Sequence, residues 1–135
     1  KRFSYYRLLE VMPRCFVALT MFLRLSCFGE CMGISFVDST CIPVIHNKRQ
    51  YGMKVFKGFA VKEKSAMGWY VGFKLHLLCN EKGEIVNVVL TRANVDDRND
   101  AVIDTLTDRV FGKLYAEATY HSRFSDGFGV RGYMW

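Results

Sequence analysis

Proline is nearly absent from this chain, with two residues in 135, and no C-x-x-C pair occurs among its five cysteines. The three histidines, His46, His76 and His121, stand far apart. Zinc sites want paired ligands at short spacing, so this pattern speaks against one. The odd, irregularly placed cysteines (Cys15, Cys27, Cys31, Cys41 and Cys79) read as reduced thiols in a cytosolic protein. Cys27 and Cys31 are one helical turn apart but have no second pair. Near the N-terminus the longest uncharged apolar run is 15–23, closed by Arg14 and Arg24. A bilayer needs about 20 such residues, so no membrane partner is expected from it. No signal-peptide pattern is visible. Two prolines and eleven glycines also exclude a Pro/Gly low-complexity chain.

What is present is enough for a core. Half the residues are hydrophobic and 24% are charged, which fits one domain or part of a larger one. The net charge of +6 is uneven. Residues 41–66 hold Lys48, Arg49, Lys54, Lys57, Lys62 and Lys64 against Glu63 alone, net +5. Tyr51, Phe56 and Phe59 interleave with these cations. Such a mixture suits a phosphate backbone, where cations displace condensed counterions.

Residues 12–28 read as a helix with Pro13 at its first position and Gly29 as its stop. Residues 34–40 alternate as a strand ending in the carboxylate of Asp38. Residues 41–66 read as a basic insertion broken at Gly52 and Gly58. A strand over 69–79, a turn over 80–84 with Gly83 at positive φ, and a returning strand over 85–90 make a hairpin. Asp96 and Asp97 precede a helix, where acids favour the positive end of the dipole, and this reading is preferred to metal binding. Val102, Ile103, Leu106, Val110 and Phe111 recur at helical spacing up to Gly112, and 113–116 is a further strand. The order strand, insertion, strand, hairpin, strand, helix, strand gives a mixed α/β sheet. It matches the first half of an RNase H-like fold, incomplete and preceded by an N-terminal helix.

Four blocks carry a resemblance: G-I-S-F-V-D-S-T (33–40), K-V-F-K-G-F-A (54–60), M-G-W-Y-V-G-F-K-L-H-L (67–77) and L-T-R-A-N-V-D-D-R (90–98). Together and in order they resemble the catalytic domain of bacterial insertion-sequence transposases of the DDE type. The similarity is visible from about Ser4 to Ala116. It divides the chain into a helical lead-in (1–33), a partial RNase H-like domain (34–116) and a tail (117–135).

The resemblance implies DNA cleavage and strand transfer with two divalent cations, Mg2+ or Mn2+, clamped by carboxylates about 4 Å apart. Asp38 matches the first metal-binding Asp. The second lies in an A-D-x-G-Y block, where this chain reads Ala116-Glu117-Ala118-Thr119-Tyr120, so Glu117 takes the Asp slot and Thr119 the Gly slot. The third carboxylate has no counterpart. Lys74 and His76 share a strand face. His76 reads first as a core histidine, with DNA contact by the pair as the other reading. The expected partner is DNA, with a second copy or an intact transposase besides, and neither a membrane nor a small-molecule substrate. The expected location is the cytoplasm, at the nucleoid. Three alternatives stand beside a catalytically incomplete transposase fragment: a non-catalytic DNA-binding remnant, a partner of an intact transposase, and an unrelated nuclease using Asp38, Asp97 and Glu117. The unfinished sheet is expected to leave apolar strand surface exposed.

Beyond Tyr120 no further block is visible, which points to a truncated or frameshifted copy. Codons for Ala118 to Ser122, read one base earlier, can encode Gly-Tyr-Ile-Ser, which resembles the family's continuation. Reading the gene around codon 117 in three frames is expected to give that continuation. Codons that cannot yield it in any frame overturn the slip.

Overall fold

The computed structural model describes residues 4–116. Helix α1 runs over Tyr5–Phe22 and continues as a single π-type turn, Leu23–Cys27. The sheet strands are β1 (Ile34–Ile45), β2 (Val61–Ser65), β3 (Gly68–Asn80), β4 (Ile85–Arg92) and β5 (Lys113–Ala116). A 3-10 helix occupies Asn47–Gly52, and α2 spans Asp100–Thr107 between β4 and β5. None of the helices among the described residues is long and apolar enough to cross a membrane.

The strand β3 is the axis of the sheet. Its residues 71–80 pair antiparallel with β1, while on its other edge β2 takes 68–72 and β4 takes 73–79. The strand β1 then pairs in parallel with β5, from Ile34↔Lys113 to Val37↔Ala116. That parallel pair needs a crossover, and α2 supplies it. The result is the α/β, RNase H-like mixed sheet expected from the sequence.

Side chains alternate across a strand, so register sorts the two faces. One face carries Ser35 and Val37 of β1, His76, Leu78 and Asn80 of β3, and Leu114 and Ala116 of β5, all buried. Against it α2 packs Val102, Ile103 and Leu106, and this is the hydrophobic core. The opposite face carries Phe36, Asp38, Thr40 and Ile42 with Phe73, Leu75 and Leu77. Of these, Phe36 stays 47% exposed although it stacks on Tyr115 at 5.5 Å. The residues around 56 cross one end of this face, where Phe56 meets Phe73 edge-on at 5.5 Å.

The elements differ from the sequence reading at four places. The first helix begins at Tyr5 rather than at 12, because Ser4 caps it by accepting from the Arg7 N–H, and Pro13 lies inside it. The β1 strand runs through Asp38 to Ile45, so Asp38 is mid-strand. The basic segment 41–66 is not wholly an insertion, since it contains the end of β1 and all of β2. The second helix stops at Thr107, and the chain then turns through Arg109 (φ 97°) and Gly112 (φ 88°). Cys27 and Cys31 do not share a helix, and all five cysteines are free.

The hairpin forms as read. Gly83 takes φ 79°, and Asn80 organises the turn: its Oδ1 accepts from the Lys82 and Glu84 amides, each at 3.0 Å. Its Nδ2 donates to the Glu30 carbonyl and to Glu84 Oε2. Gly72 sits where β1 bulges between Pro43 and Ile45, and a Cβ there would overlap the Ile42 carbonyl.

The two faces should answer differently to truncation. Leu78 is fully buried and Leu90 is 58% exposed. Leu78→Ala is expected to cost about 3 kcal/mol in urea unfolding. Leu90→Ala should cost under about 1 kcal/mol.

Candidate functional site: an open sheet face around Asp38

Asp38 stands near the middle of β1, opposite Leu77 of β3, on the face that α2 does not cover. It is exposed, and its Oδ1 accepts from the Ser39 N–H at 2.7 Å. Around it the same face is mostly apolar, with Thr40 the polar neighbour along β1. Phe36 and Tyr115 lie to one side and Ile42 and Phe73 to the other, with Leu75 and Leu77 between. Among the described residues no ion pair holds this carboxylate, so packing does not account for its place on a hydrophobic sheet face.

Glu117 lies outside the described residues. Immediately before it, Val37 and Ala116 are register partners in parallel strands. Among the described residues, no group of three or more His, Cys, Asp or Glu side chains is placed to hold a metal ion. Asp38 alone among the described residues therefore does not make up a divalent-cation site.

Alternation also sorts the basic segment. Lys62 and Lys64 of β2 pair with Val71 and Trp69, which are odd-numbered residues of β3 like Leu77. They therefore lie on the Asp38 face, and both are exposed. Glu63 pairs with Tyr70 and falls on the other face. Lys48, Arg49, Lys54 and Lys57 are exposed in the stretch between β1 and β2.

Lys74 and His76 belong to the covered face. His76 is fully buried, and its Nε2 is 3.0 Å from Thr91 Oγ1. Lys74 Nζ donates to the Val95 carbonyl at 3.0 Å and lies 3.2 Å from Asp97 Oδ1. His76 Nδ1 is 3.7 Å from that same oxygen. The Lys74 contact is close enough for charge pairing, although Asp97 Oδ1 accepts no well-aligned hydrogen bond. Asp97 is thus not a helix cap. Asn99 caps α2, accepting from the Ala101 and Val102 amides, and Asp97 is drawn inward to the lysine instead. Asp96 stays outside and grips Arg98 through Nε and Nη2, which holds its carboxyl down to about 2. Because Asp38 and Asp97 are on opposite faces, a nuclease site combining them is excluded. The K-x-H alternation of β3 places Lys74 and His76 on one side, but nothing in the sequence links that side to Asp97.

Burial holds His76 below the ordinary histidine value of 6.5; Asp97 pulls it up and Lys74 pushes it further down. The unfolded chain therefore takes up a proton here before the folded protein does. Stability from this site is present above about pH 6.5 and is lost as the pH falls below it. Thermal melts between pH 7.5 and 5 are expected to show a falling Tm that His76→Gln flattens. An unchanged slope in the variant would refute the assignment.

No curated protein matches the chain. A family description does, that of the transposase DDE domain, over residues 28–126. The match begins within the lead-in segment and runs past Tyr120, where the blocks visible by eye give out. DDE domains use divalent metal ions and serve DNA transposition. By the order of its strands and by this match over more than half its length, the chain belongs to the transposase DDE domain family.

Proposed function

We propose that the chain is the DDE domain of a bacterial insertion-sequence transposase, in a copy that binds DNA but lacks a complete carboxylate set. The observation that carries this reading is the placement of Asp38 on the open sheet face that also bears Lys62 and Lys64. Net positive charge on the same face as a solvent-facing carboxylate suits a phosphodiester substrate, because lysines gain by releasing counterions while the carboxylate is of the type that takes a hard cation.

On this reading Asp38 and Glu117 are the carboxylates directed at Mg2+ or Mn2+. The register of Val37 with Ala116 supports the pairing, since Asp38 and Glu117 each follow by one residue in the sequence. Glu for Asp adds a methylene to the second group, and this displaces its oxygens. Lys48, Arg49, Lys54, Lys57, Lys62 and Lys64 are the backbone-contacting cations. Lys74 is withdrawn into its ion pair, so the exposed lysines of 48–64 carry the electrostatic binding. The apolar strip around Phe36 is the surface for a second copy or an intact transposase. The chain works in the bacterial cytoplasm, at the nucleoid.

Binding to a duplex of about 20 base pairs is expected to weaken linearly in log-log form as salt rises. Replacing Lys48, Arg49, Lys54 and Lys57 together with alanine should reduce the slope by up to about 3.6. With Mg2+ or Mn2+ present, no strand cleavage is expected. Metal-dependent cleavage abolished by Asp38→Asn would overturn the incompleteness and establish an active enzyme. Absence of salt-sensitive binding would overturn the DNA reading itself.

A further inference from the structure

Trp69 is a large apolar side chain left 57% exposed at the start of β3. Its position is well anchored. Asn47 Nδ2 donates to its carbonyl, and the adjoining turn is fixed by Ser65 Oγ, which donates to the Gly68 carbonyl and accepts from the Met67 amide. Two lysines attend the ring: Lys64 is its direct cross-strand partner, and Lys62 Nζ stands 5.3 Å from the ring centroid. The only acid of β2, Glu63, is turned to the opposite face beside Tyr70. A flat aromatic surface flanked by two cations, with the neighbouring anion facing away, is complementary to one ligand chemistry: a base attached to a phosphate.

We propose that Trp69, with Lys62 and Lys64, is a stacking platform for an unpaired nucleobase of single-stranded DNA. This rests on the reading of the chain as a DNA-binding domain and adds which form of DNA this end of the sheet takes. The ring stacks on the base, and the lysines meet the phosphates on either side. At an exposed site a lysine–ring contact is worth about 0.5–1 kcal/mol, so an arriving base displaces Lys62 readily. Base–aromatic stacking is stronger, and every base offers a face for it. A paired base in a duplex has its faces already stacked on its neighbours, so the platform selects strands that are open.

The test uses the full chain carrying Trp135→Phe, which leaves Trp69 as the remaining tryptophan of the two in the sequence. A ten-nucleotide oligothymidine and a random-sequence duplex are titrated at low salt. Quenching of Trp69 fluorescence by the oligothymidine is expected. In a parallel anisotropy titration with labelled DNA, Trp69→Ala should weaken oligothymidine binding by about 5- to 100-fold. Duplex affinity should change less than about two-fold, and Trp69→Phe should retain most of the single-strand affinity. Duplex binding that persists alongside an unquenched Trp69 and an unaffected Trp69→Ala variant overturns the platform alone. Failure of wild-type chain to bind either DNA overturns both readings. An oligouridine that binds more tightly than the oligothymidine overturns the assignment to DNA. If Trp69→Ala unfolds by circular dichroism, Lys62→Glu with Lys64→Glu serves in its place, and undiminished oligothymidine binding in that variant overturns the proposal.

Discussion

The unbroken alternation of β3 is the constraint on which the rest depends. Over thirteen residues this strand keeps one parity against three partners, β1, β2 and β4. Its even positions, from Tyr70 through His76 and Leu78 to Asn80, go to the covered side. Its odd positions, from Trp69 through Phe73 to Leu77, go to the open side. A slip of one residue would transpose every one of them. Gly72 shows how tightly the register is held, because the β1 bulge comes so close there that no side chain fits. The bulge keeps its extra residue on β1, and so the parity of β3 survives it.

The buried polar groups follow from that parity. Placing Lys74 and His76 on the covered side brings two potential cations under the loop that joins β4 to α2. Burying them unpaired would be costly, and Asp97 is what the loop supplies. Such a pair adds little net stability over a hydrophobic alternative, yet removing one partner leaves a stranded charge. Its consequence is therefore geometric: the loop is held down at Val95 and Asp97, and Asn99 is left in position to start α2. The helix that closes the core is thus seated by a polar contact made outside the core.

Much of this was legible in the sequence where the chain's own pattern decides the outcome. The hairpin at Asn80–Gly83, the start of the strand carrying Asp38 and the α2 stripe of Val102, Ile103 and Leu106 are legible, because period and turn chemistry are local. The basic segment did not, since its charges hide a short edge strand whose alternation is lysine against glutamate rather than apolar against polar. The first helix was misplaced because Pro13 looks like a start, while the actual cap, Ser4, is a weaker mark. Asp97 was read as a dipole residue because its partners are 21 and 23 positions away on another strand. The end of α2 was overrun because Val110 and Phe111 keep the helical spacing after the backbone has already turned. The family relation is legible all the same, because three of the four blocks fall on β1, β3 and the end of β4 in chain order.

The same parity gives the open face its reach. Asp38 is opposite Leu77, and Trp69 lies eight residues back along β3 on the same side. At about 3.3 Å per residue the two are separated by roughly 26 Å along the strand. On the proposed reading, a DNA strand laid along β3 runs from the lysine end to Asp38. Phosphates near one end would then meet Lys62 and Lys64 while those near the other end approach Asp38. A carboxylate repels phosphate unless a cation intervenes, whereas the lysines attract it without help. On the proposed reading the lysine end attracts a DNA strand by charge alone, and the carboxylate end does not. On that reading charge attraction and the carboxylate lie at opposite ends of one strand, so the first does not depend on the second.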